Sequence, residues 1–397
     1  MKILMLIPTY YPFIGGAEVF DQEIAERSVR EGNEVDVITS LWEKSQKKTE
    51  VINGVSIYRV KVLKREYGIR YLSSISYVLS SVLEALRLDK RRNYALIHSV
   101  MESSGGLAGT MVKKFRHKPH LVTMQGGFFL EEASLFRRIT IEQAARWCFK
   151  NADIVHGISH HLVEERADRF GARKTVVIPN GADVQMFHPM NKPELKAKYS
   201  FPQDERIILS VCPGIFRGAK PSFNPEGYPN LIEAFATLTK LHSDLRLVII
   251  GEGYKRELFK NQAAKLGIED KVSFMGFVSH EELPYYFNLA DVFIRPRVVE
   301  GQGIVYVEAM ACGVPVIGAN VGGTVDVIEH AKNGLLVNPR STQEISAALR
   351  LILEDETTRN RFIAEGLKTV EQKFRWETIF DEINQIYIEL ARGKGGK

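Results

Sequence analysis

The sequence predicts two doubly wound α/β domains, each a Rossmann-like parallel sheet, facing a central cleft. Three observations carry that expectation. The chain has 397 residues, too many for one ordinary hydrophobic core. Short apolar runs alternate with amphipathic stretches along most of its length. The alternation lapses once, over "VQMFHPMNKPELKAKYSFPQDE" from residue 184, and then restarts.

The elements follow in order. "KILMLIP", "GGAEVFDQEIAERSVREG" and "EVDVITS" read as strand, helix and strand of one parallel crossover. "ALIHSV", "HLVTMQ", "DIVHGIS" and "TVVIPNG" read as further strands, continuously apolar because both faces are buried. The polar, proline-bearing lapse reads as the connection between domains. Beyond it come "RIILSVC", "LRLVIIG", "KVSFMG", "VFIRP" and "VPVIGA". "RWETIFDEINQIYIEL" has apolar residues at helical spacing and should pack as a terminal helix. The expected division is an N-terminal Rossmann-like domain at 1–185 and a C-terminal Rossmann-like domain at 204–375. The helix 376–392 is expected to pack back toward the first.

Composition excludes several classes. Hydrophobic residues at 45% and charged residues at 25% are ordinary for a globular chain. No apolar run approaches the roughly 20 residues of a spanning helix. The opening "MKILMLIPTYYP" reads as a buried strand rather than a leader, having no small-residue cleavage site after it. Cys148, Cys212 and Cys312 are widely spaced, which points to a reducing cytoplasm rather than a disulfide or zinc framework. The ten histidines are scattered, and His160–His161 is a simple pair, so no metal site is expected. Residues 1–190 hold 27 Lys and Arg against 21 Asp and Glu, within a net charge of +5 for the chain. That surplus suits an anionic partner, such as the inner face of a membrane, or is simply a solvated surface. Nucleic acid is not expected, because the basic runs lack interleaved aromatics. The stretch 60–92 carries a long helix with basic ends. It reads either as an interfacial helix or, the more ordinary fate, as one packed on the first sheet.

Open parallel sheets bind ligands beyond the carboxyl ends of their strands. One such loop here is "EGQGIVYVEAMACGVPV", residues 300–316. Glu300 falls in the loop after the strand "VFIRP", and Gly301 and Gly303 allow backbone amides a close approach. A helix opening near Ile304 offers unpaired N–H groups and a positive dipole end to phosphate. Glu308, one turn in, suits sugar hydroxyls rather than phosphate. A ligand needing all three is a sugar joined through a diphosphate to a ribose.

These residues bring a family into view. The sequence resembles the retaining nucleotide-sugar glycosyltransferases of family 4, with the two-Rossmann-domain (GT-B) architecture. The resemblance runs through "GGAE" at 15–18, "VIPNGADVQMFHP" at 177–189, "LIEAF" at 231–235, "VIIGEGYKREL" at 248–258, "VSFMGFVSHEEL" at 272–283 and, most specifically, 300–328. It implies that Glu300 contacts the transferred sugar and Glu308 the ribose. Gly303, Ile304 and Val305 would face sugar and phosphate, with Gly15 and Gly16 approaching the diphosphate from the opposing domain. Val278 and its neighbours would border the base. It implies no metal or other cofactor, cationic side chains neutralising the leaving diphosphate.

Two departures matter. The family carries an arginine and a lysine in a "GRLxxxKG" segment, where this chain reads "VCPGIFRGAKPSFNPEGYPNLIEAF". Anchoring on "LIEAF" puts Glu226 and Gly227 at the Lys-Gly position. Anchoring on Gly214 instead offers Lys220, with Arg217 nearby, and the need to offset a buried diphosphate favours that alignment. The second departure is Gln125 in "TMQGG", where many relatives have histidine. Glutamine can position a sugar hydroxyl but cannot exchange protons near neutral pH. The expected activity is metal-independent transfer of a hexosyl unit to an acceptor hydroxyl of a glycan, glycolipid or lipid-linked precursor. A glucan or disaccharide synthase of the same fold, or a silent sugar-nucleotide-binding protein, is the alternative.

Overall fold

The computed structural model describes residues 1–12, 15–43, 45–63, 70–126, 135–212, 227–251 and 256–393. The chain divides into two compact units, Met1–Asn180 with Trp376–Lys397, and Gly181–Arg375.

Unit 1 is built on strands β1 (Lys2–Leu6), β2 (Glu34–Leu41), β3 (Thr49–Ile52), β4 (Val55–Lys61), β5 (Leu96–Val100), β6 (His120–Met124), β7 (Ile154–Gly157) and β8 (Thr175–Val177). They form one sheet in the order β3-β4-β2-β1-β5-β6-β7-β8. Every neighbouring pair is parallel except β3 and β4. That antiparallel edge is missing from the sequence reading. Its signal is Asn53-Gly54 between two strands, both at positive φ, the type I′ turn that joins a tight hairpin. The helices used below are α1 (Gly16–Arg30), α2 (Arg70–Arg92), α3 (Gly106–Arg116) and α4 (Leu135–Asn151). The terminal helix Trp376–Arg392 belongs to this unit, with Trp376 against Phe20 at 5.8 Å between ring centroids.

Unit 2 has strands β9 (Arg206–Val211), β10 (Leu245–Ile250), β11 (Val272–Gly276), β12 (Val292–Arg295), β13 (Val316–Ala319) and β14 (Leu335–Val337), all parallel, in the order β11-β10-β9-β12-β13-β14. Alternate residues of β10 serve opposite cores: Leu247 and Ile249 pack with Leu231 and Phe235, Val248 and Ile250 with Phe287 and Phe293. Both faces are covered, which is why these strands read as unbroken apolar runs. The segment read as an interdomain connection lies within unit 2 instead. Phe187 and Leu195 are buried in its core, and Lys192–Lys198 is helical. The local polarity is real, but these two apolar anchors dock the segment.

In each sheet the strand order reverses at one point, between β1 and β5 and between β9 and β12. Loops leaving the carboxyl ends on either side of such a point diverge and open a crevice. Glu300 follows β12, and Gly15-Gly16 follow β1.

Candidate functional site

In unit 2 the loop after β12 is tied on two sides. Gly322, at φ 52°, leaves no room for a Cβ against the Glu300 carbonyl, and the Gly323 N–H donates to that same carbonyl at 3.0 Å. At Gly227, the start of helix Gly227–Leu238, an added Cβ would fall closer still to the Pro296 carbonyl. These approaches fix the backbone that carries Glu300.

Its carboxylate is held as firmly. Arg295 lies 2.6 Å and Arg297 3.4 Å from Oε2, and the Gly301 amide donates to Oε1 at 3.1 Å. All three side chains are at least about nine-tenths buried. Burial depresses the Arg297 pKa, Glu300 pulls it back up, and the like charge of Arg295 adds to the depression. Two guanidiniums share one carboxylate oxygen, so the spot carries more positive than negative charge among these three groups.

The helix Ile304–Ala311 starts from Gly303 at φ 84°, where an added Cβ would strike the Tyr306 ring. Tyr306 in turn donates to the Arg295 carbonyl at 2.7 Å. The amides of Gly303, Ile304 and Val305 thus open the helix beside Glu300. Glu308, one turn on, is buried and split in function. Its Oε1 meets His280 Nε2 at 2.8 Å, while Oε2 is buried with no hydrogen-bond partner among the described residues. Burial opposes charge on His280, but the bond to Glu308 and its charge prevail, and the His280 pKa is raised. His280 is braced by the Phe187 ring at 5.3 Å. A carboxylate aimed by one oxygen and open at the other can accept a hydroxyl's hydrogen bond without reorganising. Val278 lies two residues before His280, partly buried against the unit 2 core.

Unit 1 places Gly15 as the N-cap of α1 and Gly16 as its first residue. A Cβ on Gly15 would meet the end of the flexible Glu18 side chain at 2.5 Å, so a larger residue there would shift that carboxylate. Gln125, just past β6, donates through Nε2 to Asp21 Oδ1 of α1 at 3.2 Å. Its Oε1 is buried without a partner among the described residues. Burial raises the Asp21 pKa well above the usual carboxylate range, the charge of Glu18 adds to this, and the Gln125 bond opposes it. Beyond β5, Met101–Gly105 is a π-helical turn whose Glu102 is buried 3.0 Å from Arg166. Such turns insert one extra residue per turn and re-aim side chains.

The structure therefore brings Glu300, Gly303, Ile304, Val305 and Glu308 together in one loop and helix, and sets Gly15, Gly16 and Gln125 around α1. Arg217, Lys220 and Glu226 lie outside the described residues. The sequence reading does not include His280, Arg295, Arg297 or Asp21. His280 stood within the quoted "VSHEEL", and an arginine inside the buried run "VFIRP" was a signal of its own.

Known proteins agree with this topology. Residues 14–186 match the model described as Glycosyltransferase Family 4, and residues 191–369 that described as Glycosyl transferases group 1. A glycosyltransferase of Methanocaldococcus jannaschii is 29% identical over 98% of both chains. A GDP-mannose-dependent alpha-(1-6)-phosphatidylinositol monomannoside mannosyltransferase of Mycobacterium tuberculosis is 32% identical over 57% of this chain and 59% of its own. Among solved structures, sucrose-phosphate synthase from Thermosynechococcus elongatus superposes with a TM-score of 0.82 over 98% of this chain and 99% of its own, at 23% identity. The Anabaena protein HepE in complex with UDP-glucose gives 0.75 over 98% and 100%, at 19%. The family matches take up nearly the whole length and the sheets share the architecture of these structures: the chain belongs to the family 4, group 1 glycosyltransferases with the two-Rossmann-domain GT-B fold.

Proposed function

We propose that this enzyme moves a hexosyl unit from a nucleotide diphosphate sugar to an acceptor hydroxyl, with retention at the anomeric carbon and without a metal ion. The observation that carries the donor class is Glu308, whose free Oε2 sits one turn inside a helix that begins at a left-handed glycine. A ribose hydroxyl fits the carboxylate, and a diphosphate fits the helix N-terminus. Glu300, locked by two arginines and an amide, orients the transferred sugar. Gly15 and Gly16 open α1 with a second set of N–H groups suited to phosphate. Gln125 offers its unpartnered Oε1 to a sugar or acceptor hydroxyl.

In the proposed step the bond from the anomeric carbon to the diphosphate oxygen breaks. The acceptor oxygen bonds to the same face of that carbon, and its proton passes to the departing phosphate oxygen. Cationic side chains stabilise the leaving charge. Arg217 and Lys220 are assigned that role by alignment and charge, and Arg295 and Arg297 add positive charge next to Glu300. The acceptor is a glycan, glycolipid or lipid-linked precursor.

A thermal-shift panel of uridine, guanosine and adenosine diphosphate sugars tests the reading. A preferred donor at a hundred times its Kd should add about 2.7 kcal/mol of stability. Glu308→Ala should weaken that donor about tenfold or more, the loss of a hydrogen bond to a charged group. Lys220→Ala should leave binding nearly intact and slow turnover. A panel with no shift for any donor would refute the donor class, and a kinetically silent Lys220→Ala would refute the alignment.

A further inference from the structure

Helix α2 is apolar on both sides. Inward, Tyr77, Val78, Val82, Ala85 and Leu88 belong to the core of unit 1. Outward, Leu72, Ile75, Leu79 and Leu83 recur three and four residues apart and so form one stripe. They are 43%, 44%, 55% and 71% exposed. No charged residue occurs from Leu72 through Leu83. Folding does not require this second face, since polar side chains there would leave the inward packing untouched. A continuous exposed apolar stripe marks a surface that leaves water.

Cations flank the stripe. The last turn of α2 holds Lys90, Arg91 and Arg92. Helix α3 is pinned beside it by Arg116, which donates to the Leu86 carbonyl at 3.0 Å. Next to Arg116 are Lys114 and Phe115, the latter 60% exposed. Lys114 sits 5.7 Å from the centroid of the Trp147 ring on α4, itself partly exposed. Exposed leucines, with exposed aromatics and cations on the same and the neighbouring helices, are the side-chain types that an anionic lipid interface takes. Among the described residues no helix is long and apolar enough to cross a membrane. This one would lie in the surface plane.

We propose that the Leu72–Leu83 stripe of α2, with Lys90, Arg91 and Lys114 at its border, docks unit 1 onto an anionic phospholipid membrane. The surface goes beyond the transfer reaction and includes no residue of the donor site. A second copy of the chain is a poorer occupant. The acidic groups of α2, Glu84 and Asp89, are already paired with Arg87, and with Arg116 and Lys118, so another copy's α2 would bring no free anion to the border.

The test is co-sedimentation of the full chain with vesicles of phosphatidylcholine alone or mixed with phosphatidylglycerol, at low and high salt. Wild type should sediment with the anionic vesicles, bind neutral ones weakly, and lose affinity as salt rises. Leu79→Gln/Leu83→Gln should bind about tenfold or more weakly, two exposed leucines no longer entering the lipid. Lys90→Glu/Lys114→Glu, which leaves the stripe intact, should lose the preference for anionic vesicles. Both variants should keep the wild-type melting point and the donor-induced shift, which separates a failure here from a failure of the donor reading. Wild type remaining in solution, or leucine variants sedimenting equally well, overturns the proposal. So does a wild-type dimer by light scattering that the leucine variants convert to monomer, which would assign the stripe to a second copy.

Discussion

Glu300 and Glu308 are both buried carboxylates, and their surroundings treat them oppositely. Glu300 spends both oxygens on the protein: Oε2 on Arg295 and Arg297, Oε1 on the Gly301 amide. Glu308 spends one on His280 and keeps the other open. The first is built for fixed placement, the second for binding. Because Arg295 makes the shorter contact and belongs to β12, whereas Arg297 lies in the loop beyond it, the two arginines should differ on replacement. Arg295→Met leaves Glu300 with its nearer charge partner gone and is expected to cost about 3 kcal/mol in denaturant unfolding. Arg297→Met should cost clearly less in stability while lowering turnover, since Arg295 still holds Glu300 in place. Equal stability losses would mean that the two guanidiniums hold the carboxylate equivalently.

At the scale of elements, the site depends on loops pressed closer than side chains allow. The loop after β13 reaches the loop after β12 through Gly322, and helix Ile304–Ala311 starts only because Gly303 takes a left-handed conformation. Alanine at 303 would pay about 1–2 kcal/mol for that conformation alone and would also displace Tyr306. Gly303→Ala and Gly322→Ala should therefore each weaken donor binding, read in the thermal-shift panel, while a control such as Gly126→Ala, with no atom of the described residues within 4 Å of the added Cβ, should not. The Asn53-Gly54 hairpin illustrates what periodicity misses. Its edge strand β3 has four residues and none of them buried, and β4 beside it interleaves polar residues with its apolar ones, so neither shows the continuous apolar run that betrays central strands.

Across unit 1 a whole buried chain of hydrogen bonds joins three strands to the terminal helix. Tyr387 Oη lies 2.7 Å from His98 Nδ1, His98 Nε2 lies 2.7 Å from Thr123 Oγ1, Thr123 Oγ1 lies 2.9 Å from His156 Nδ1, and His156 Nε2 lies 2.7 Å from the Ile178 carbonyl. The carbonyl can only accept, so donor counting with neutral rings runs one way: His156 donates to it, Thr123 to His156, His98 to Thr123 and Tyr387 to His98. Burial is the main cause keeping both rings neutral. It lowers the His98 pKa to about 3, helped by His156, and the His156 pKa to about 4 against the pull of the Ile178 carbonyl. In the unfolded chain each would titrate near 6.5. A lowered histidine contributes stability that is present above the unfolded pKa and lost as pH falls toward the folded one. Asp21, with a raised pKa, works in the opposite sense, so a variant comparison isolates the effect. Wild type minus His98→Gln should lose about 1.4 kcal/mol of stability per pH unit between pH 6 and pH 4. A flat difference over that range would show that His98 does not hold its neutral form through folding.

By itself the sequence determined that strands buried on both faces alternate with helices, because an apolar run of five or six residues has few other fates. It also determined where Glu300 and Glu308 would fall, since one loop and one helical turn set their separation. The apolar face of α2 was legible as a helix with two readings, and the folded unit satisfies the packed one while leaving a second face outward. Only the tertiary structure decided the partners. His280 reaches Glu308 across 28 residues, and Asp21 reaches Gln125 across 104. No local pattern encodes such pairs, because each depends on how strand order brings distant carboxyl ends to one edge. Phe187 and Leu195 make the same point for the segment that looked like a linker. Composition marked it as loop, and burial of two side chains made it part of a core.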